Sequence, residues 1–248
     1  MLANCRVVLV RTEVAGNIGA TARVMRNFGL NDLVLVAPVA DPSSHEAKQR
    51  STHGEPILNS ARKFATLVEA VGDCRLVVGT SARSGGLIRG GMTATPEQVI
   101  PHMLRHISER PVTLVFGPER NGLTNDEITK CDHLIEIPAN PEYPALNLSH
   151  AVAICLYELC RQAMSWSSPK VPDPVASHDE RERMYAHLRS GLEAIHFLYD
   201  EKADALMHAV RALLNRTEPN LADLKLLHGL ARQLEWVAKN RSATLPPE

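Results

Sequence analysis

Short apolar runs alternate with longer helical stretches along the first two thirds of the chain. Five of the runs are rich in Val, Leu and Ile and show almost no polar alternation, which is typical of strands buried on both faces of a parallel sheet. We predict strands at residues 7–10, 33–36, 76–79, 112–116 and 134–137. Helices fit between and after them at about residues 19–28, 96–107, 125–130 and 148–164. This alternating order predicts an α/β domain with a mostly parallel sheet.

A stretch rich in Ser and Pro follows this domain. Proline at that density cannot continue a helix, so residues 165–177 are predicted to form a linker. Beyond the linker the apolar period changes to 3.6, in three stripes that begin at Met184, Leu206 and Leu224. We therefore predict an α/β domain at residues 1–164 and a small all-helical domain at residues 178–248.

Composition limits the kinds of partner. The 248 residues carry 27 basic and 28 acidic side chains, a net charge of −1. A general polyanion-binding protein would be strongly basic, so any contact with nucleic acid must use a local patch. The five cysteines form no CxxC pair, and no run approaches 18 apolar residues. We expect a reduced, cytoplasmic protein without a membrane span or a signal peptide.

Three polar clusters directly follow predicted strands, at the edge where open α/β sheets bind ligands. Asn17 and Arg23 flank Gly19 after the first strand, where a helix N-terminus could hold an anion. Gly117 and Glu119 follow the fourth strand. A proline-rich loop follows the fifth and leads to Asn147. Taken singly, the first cluster is also explained by a tight turn, the second by an ordinary loop and the third by a helix cap.

A fourth cluster, Thr80, Ser81 and Ala82, opens a glycine-rich stretch after the third strand that could cradle a phosphate or form a surface loop. Other ligand motifs are absent, because the sequence contains no GxxxxGK[ST], no GxGxxG and no GxSxG. His102 and His106 stand four residues apart without a third candidate ligand nearby, so no metal is expected.

Taken in order, the clusters resemble motifs one to three of the SPOUT-class RNA methyltransferases, in their ribose-methylating (TrmH/SpoU) branch. The helical tail and three short segments are similar to the bacterial TrmJ subgroup of that branch. The segments are Thr80-Ser81-Ala82-Arg83, Leu123-Thr124-Asn125 and Asn140-Pro141-Glu142-Tyr143.

The resemblance implies a fold whose C-terminal part forms a trefoil knot, and a homodimer whose active site draws on both subunits. It also implies S-adenosylmethionine as cofactor and tRNA as substrate, with methylation of a cytidine or uridine ribose at position 32 of the anticodon loop. Eight residues would bind the cofactor: Thr80, Ser81, Ala82, Gly117, Ile137, Pro144, Ala145 and Leu146.

Arg23 would be the catalytic arginine, helped by Asn17, Glu119 and Asn147. Because a guanidinium is a poor proton acceptor, our hypothesis is that Arg23 clamps the adjacent phosphate and stabilises developing oxyanion charge. Three alternatives stay open at this point: the same chemistry on rRNA or another tRNA loop, a non-catalytic RNA-binding module of the same fold, and an α/β enzyme acting on a small molecule.

Overall fold

The computed structural model describes residues 2–82, 93–165 and 176–241. Its backbone contacts divide the chain into two units, Met1–Val171 and Pro172–Glu248. The predicted linker at residues 165–177 and the glycine-rich stretch that runs to residue 91 lie largely outside the described residues. The exact domain boundaries therefore stay a prediction.

One sheet forms the centre of the first unit. Within the described residues, seven strands pair in parallel in the order β3-β2-β1-β6-β4-β7-β5. The strands are β1 (Cys5–Val10), β2 (Asp32–Val36), β3 (Arg62–Phe64), β4 (Leu76–Thr80), β5 (Thr93–Ala94), β6 (Val112–Phe116) and β7 (His133–Ile135). All residues of β1 and β6 are buried. The five predicted strands and the parallel sheet are confirmed.

Helices cover both faces of this sheet, as parallel sheets require. They are α1 (Ala15–Asn27), α2 (His45–Ser51), α3 (Glu55–Asn59), α4 (Leu67–Val71), α5 (Pro96–His106), α6 (Asn125–Ile128) and α7 (Leu148–Ser165). The predicted helices at 96–107, 125–130 and 148–164 end within two residues of these bounds. Helices α2, α3 and α4 were not predicted, because five to seven residues are too few to show a helical period.

Helix α1 begins four residues earlier than predicted, and Gly19 lies against another helix and not beside a ligand site. A Cβ atom on Gly19 would lie 2.0 Å from the carbonyl oxygen of Ala47 in α2. A Cβ atom on Gly54 would lie 2.6 Å from the backbone nitrogen of Arg23. Gly19 therefore permits close packing of α1 against its neighbours, and the interpretation that it makes room for an anion is wrong.

The strand order brings three loops together at one edge of the sheet. Strand β4 pairs with β6 on one side and with β7 on the other, so the carboxyl ends of all three are neighbours. The polar clusters that follow these strands are far apart in the chain but adjacent in space. The trefoil knot implied for this part of the chain stays a prediction.

The second unit contains three helices, α8 (His178–Ala194), α9 (Ala203–Asn215) and α10 (Leu221–Arg241), as the apolar stripes predict. Its buried apolar residues include Met184, Leu188, Met207 and Leu224. Helices α8 and α10 pack closely where a Cβ atom on Gly191 would meet α10 backbone at 2.9 Å. Helix α10 begins directly after Asn220, whose side chain accepts the backbone N–H groups of residues 222 and 223 and so caps the helix.

The close approach at Gly19 predicts a specific loss of stability. Gly19→Ala places a methyl group into the backbone of α2 and should lower the free energy of unfolding by roughly 1–3 kcal/mol. The matched change Gly229→Ala, also inside a helix, meets nothing within 4 Å. It should raise stability by about 0.5–1 kcal/mol, because alanine loses less backbone entropy than glycine. Urea-induced unfolding of the full-length variants measures both, and equal effects would contradict the packing role.

Candidate active site

A cavity of about 310 Å³ opens at the carboxyl ends of β4, β6 and β7. Apolar side chains of Phe116, Ile135 and Leu148 form part of its wall, while Glu119 and Arg120 add polar groups. Mostly apolar cavities with a few polar groups are typical of cofactor sites. All eight residues predicted to bind the cofactor line this cavity: Thr80, Ser81, Ala82, Gly117, Ile137, Pro144, Ala145 and Leu146.

Hydrogen bonds hold the first wall of the cavity to both neighbouring strands. The Thr80 hydroxyl donates to the carbonyl oxygen of Val115 in β6 at 3.1 Å. The Ser81 backbone N–H donates to the carbonyl oxygen of Ile135 in β7 at 3.0 Å. The end of β4 is thus fixed between the two strands whose loops form the rest of the site.

The second wall is a tight loop that needs two glycines. A Cβ atom on Gly117 would lie 2.3 Å from the backbone of Gly122 and Leu123, so only glycine permits this approach. Gly122 has a φ of +65°, a region that other residues rarely adopt. Its N–H donates to the Pro118 carbonyl at 2.9 Å and closes the loop.

Helix α6 begins directly after this loop and anchors it. The Thr124 side chain caps the helix together with Glu127, which also forms an ion pair with Arg11 after β1. Burial would raise the pKa of Glu127, but hydrogen bonds from Arg11 and Thr124 outweigh it and hold the pKa below its usual range. Glu127 therefore stays ionised and links the loop to the first strand.

Three of the four residues predicted to take part in catalysis form one hydrogen-bonded chain. The Asn147 Nδ2 group donates to Asn17 Oδ1 at 3.0 Å, and Asn17 Nδ2 donates to Glu119 Oε1 at 2.7 Å. Residues 17, 119 and 147 come from α1, the β6 loop and the start of α7. The chain of hydrogen bonds therefore joins three separate parts of the first unit beside the cavity.

The direction of each bond in this chain is fixed by backbone donors. Asn147 Oδ1 accepts the Ser149 N–H at 2.9 Å and the Ser149 hydroxyl at 2.8 Å, so its Nδ2 group must point the other way, toward Asn17. Asn17 then offers its oxygen to Asn147 and its Nδ2 group to Glu119. Glu119 is therefore the acceptor at the end of this chain.

Glu119 also replaces the missing cap of helix α1. Val14 occupies the N-cap position and makes no side-chain hydrogen bond there. Glu119 accepts the backbone N–H groups of Glu13 at 2.9 Å and Val14 at 3.3 Å. A carboxylate at this end also interacts favourably with the helix dipole. Because the capping group lies 105 residues away in the chain, no local signal could reveal the true start of α1.

Arg23, the fourth of these residues, lies apart from the cavity. Its side chain is exposed on α1 and does not line the cavity wall. It makes no hydrogen bond or ion pair with any other residue that the structure describes. The structure thus brings Asn17, Glu119 and Asn147 together within one subunit and leaves the Arg23 guanidinium accessible to another molecule.

Several residues of the site were not predicted. Ser149 orients Asn147, and Glu13 forms an ion pair with Arg120 at 3.0 Å at the rim of the cavity. Ser149 lies two residues after Asn147, at a position where helix capping is the simpler explanation, whereas nothing in the local sequence marks Glu13. Among the described residues no cluster of three or more His, Cys, Asp or Glu side chains could hold a metal ion. None of the described helices is both long and apolar enough to cross a membrane.

Comparison with known proteins identifies the family. Residues 4–157 match the SpoU rRNA methylase family. The chain belongs to that family. Residues 179–244 match the C-terminal domain of the tRNA methyltransferase TrmJ, so both units of this SpoU-family protein have known counterparts.

A relative and two solved structures extend this result. A protein of Yersinia enterocolitica named tRNA (cytidine/uridine-2'-O-)-methyltransferase TrmJ is 40% identical over 243 residues, 95% of this chain and 93% of that protein. The crystal structure of TrmJ from Z. mobilis is 33% identical with a TM-score of 0.75, over 93% of this chain and 98% of that one. The SpoU methyltransferase AviRb from Streptomyces viridochromogenes, solved in complex with AdoMet, is 25% identical with a TM-score of 0.51, over 65% of this chain and 58% of that one.

The role of Glu119 as a remote cap can be tested without an activity assay. Glu119→Gln keeps the size of the side chain but turns one acceptor into a donor, which then faces an N–H group. We expect the free energy of unfolding to fall by roughly 1–3 kcal/mol and the amides of Glu13 and Val14 to exchange faster with deuterium. The control is Glu158→Gln, a change in α7 that affects only the contacts of this side chain with Arg161 and Gln162 in the same helix. Unchanged exchange at residues 13 and 14 would refute the capping role.

Proposed function

We propose that this protein is an S-adenosylmethionine-dependent tRNA ribose 2'-O-methyltransferase. The observation that carries the proposal is the cavity at the sheet edge, whose wall contains all eight expected cofactor residues and whose rim holds Glu119 of the Asn147–Asn17–Glu119 chain. Membership of the SpoU family and similarity to TrmJ proteins over 95% of the chain support the same chemistry.

The shape and lining of the cavity fit S-adenosylmethionine. Apolar side chains such as Phe116 and Ile137 suit the adenine ring, while Glu119 and Ser81 offer polar groups. The absence of a side chain at Gly117 lets the loop close on Gly122 and Leu123 and so shapes this wall of the cavity. When bound, the cofactor supplies an electrophilic methyl group on a sulfonium centre. The residues of the chain would hold it, orient it and exclude water.

We assign Arg23 the role of contacting the RNA at the reacting ribose. A guanidinium can hold the neighbouring phosphate with two parallel hydrogen bonds and stabilise negative charge that develops on the 2'-oxygen. The hydroxyl proton leaves to water, since an arginine is a poor acceptor. Because Arg23 does not line the cavity of its own subunit, we propose that it completes the site of a second copy.

A homodimer is supported by an exposed face of helix α7. Ile154 and Tyr157 are large, exposed and at helical spacing on a helix whose opposite side, with Val152, Cys155 and Leu159, is buried in the first unit. Such a face on a central helix is typical of a subunit interface. The dimer would also explain why the Arg23 guanidinium has no partner among the described residues.

We further propose that the substrate is a tRNA and that the methylated nucleotide is the cytidine or uridine at position 32. Helix α10 supports an RNA contact, because Lys225, Arg232 and Lys239 recur every seven residues with the exposed Trp236 beside them. Basic groups interleaved with an aromatic ring are typical of RNA surfaces. A tRNA substrate and five free cysteines also support a cytoplasmic location.

Methylation of total RNA from a deletion strain, followed by mapping of the modified nucleotide, tests the whole proposal. A 2'-O-methyl group at position 32 is the expected result. Methylation of rRNA or of another tRNA loop would keep the chemistry and replace the substrate. Cofactor binding without methylation of any RNA would favour a non-catalytic RNA-binding module.

The tight loop at Gly117 makes cofactor binding sensitive to one methyl group. Gly117→Ala should push the loop away from Gly122 and Leu123 and weaken binding of S-adenosylmethionine at least about tenfold, equivalent to about 1.4 kcal/mol. Calorimetric titration of the folded variant measures the change. Gly229→Ala, at a glycine without positive φ and with nothing within 4 Å of an added Cβ atom, is the control for a glycine-to-alanine change that meets no neighbour. Wild-type affinity in Gly117→Ala would remove this loop from the cofactor site.

Arg23 should affect turnover and leave cofactor affinity unchanged. Arg23→Lys keeps the charge but loses the planar donor group, so methylation should fall by about 10²–10³, as expected for one transition-state donor. Arg23→Ala should be slower still. Single-turnover methylation of tRNA measures the rates, and calorimetry measures binding of the cofactor.

Arg26 on the same helix provides the matched control, because it is also exposed. Arg26→Ala should keep most of the methylation rate. A wild-type rate in Arg23→Ala would exclude Arg23 from the site. An equal loss of cofactor affinity would show that its role lies in the cofactor pocket instead.

A further inference from the structure

Tyr143 is the most exposed aromatic side chain among the described residues, with 78% of its surface accessible. The chain contains only four tyrosines. Tyr185, by contrast, is buried in the second unit and donates its hydroxyl to Asn215. An aromatic ring left in water on an otherwise structured loop offers a flat apolar face to a ligand.

The loop that carries this ring is held in place by its own hydrogen bonds. The Tyr143 N–H donates to the carbonyl oxygen of Asn140 at 2.9 Å, and the Glu142 N–H donates to Asn140 Oδ1 at 3.0 Å. Pro141 and Pro144 fix their φ angles on either side. The ring is therefore presented on a restrained backbone, which lowers the entropy lost when a ligand binds it.

The position of Tyr143 in the chain puts it at the mouth of the cofactor cavity. The next three residues, Pro144, Ala145 and Leu146, line the cavity, and consecutive Cα atoms are about 3.8 Å apart. A ribose whose 2'-hydroxyl reaches into this cavity carries its base on the adjacent carbon. The base must then lie near the rim where Tyr143 stands.

We propose that the Tyr143 ring stacks on the base of the nucleotide that is methylated, and so positions its ribose for the reaction. Tyr143 acts as a positioning residue, since it contacts the base and not the reacting atoms. The inference rests on the proposed function and specifies how the same site holds its substrate. RNA-binding proteins commonly capture unstacked loop bases on aromatic side chains in this way.

Stacking also accounts for the acceptance of two different bases. Cytosine and uracil differ in the hydrogen-bonding groups on their edges but present the same kind of flat face. A site that reads edges would distinguish them, whereas an aromatic ring accepts both. An enzyme that contacts the flat face of the base, and not its edge, would therefore accept both cytidine and uridine.

The test compares the full-length enzyme and its variants on two RNAs. One is the tRNA substrate and the other is the same tRNA with an abasic residue at the methylated nucleotide. Tyr143→Ala should weaken binding of the intact tRNA about 5- to 100-fold, the range measured for loss of one base–aromatic stack. Tyr143→Phe should stay within about threefold of wild type, because it keeps the ring.

The abasic tRNA separates stacking from other roles. Wild type and Tyr143→Ala should bind it equally, since there is no base to stack on. KM for intact tRNA should rise more than kcat falls, and the affinity for S-adenosylmethionine should not change. Tyr199→Ala, at another exposed tyrosine (56% accessible), should match wild type on both RNAs.

Three results would overturn the proposal. An equal loss on intact and abasic tRNA would mean that Tyr143 contacts something other than the base. Dissociation of the dimer in Tyr143→Ala, seen by sedimentation, would make it a subunit contact. If the wild-type enzyme methylates tRNA and Tyr143→Ala binds and methylates it equally well, the stacking proposal is rejected and the proposed function stands. Failure of the wild-type enzyme to methylate any tRNA would instead reject the proposed function together with the stack.

Discussion

The carboxylate of Glu119 determines where helix α1 begins, and with it the geometry on which the site depends. It accepts the N–H groups of Glu13 and Val14 and the side chain of Asn17, which in turn is held by Asn147. Helix α1 has no side-chain cap of its own, and this acceptor instead holds the two backbone N–H groups that directly precede the helix. The same helix carries Arg23. The carboxylate therefore couples the cavity loop to the residue proposed to meet the RNA.

The fold was predictable where burial leaves a simple pattern. Strands β1 and β6 are buried along their whole length, and apolar runs that are interrupted only by Arg6 and Thr113 mark them in the sequence. The edge strands β3 and β5 have three and two residues, too few to show any pattern. The order of the strands in the sheet could not be predicted, because the hydrophobic pattern of a strand indicates which of its residues are buried but not which strands pair with it.

The candidate site was also predictable only in part. The polar clusters could be recognised because glycines, prolines and polar groups follow buried strands, and the family resemblance made them specific. The hydrogen bonds that join them could not be predicted from local sequence, since each bond of the Asn147–Asn17–Glu119 chain spans at least 102 residues. At Gly19 the local sequence instead suggested a ligand contact that the structure does not have. A glycine near a helix start suggested a place for a ligand, while its actual neighbour is the backbone of another helix.

The strand order also has a consequence for synthesis on the ribosome. Strand β1 pairs with β2 on one side, but its other neighbour is β6, which begins at residue 112. At about 5–20 residues per second, roughly 5–20 s pass after β1 emerges before β6 can cover that side. During this interval one edge of β1, a strand that is apolar apart from Arg6, is open to pairing with other chains. The nascent protein is therefore most exposed to misassembly at its own N-terminal strand, and a chaperone that shields the first hundred residues would protect the later active site.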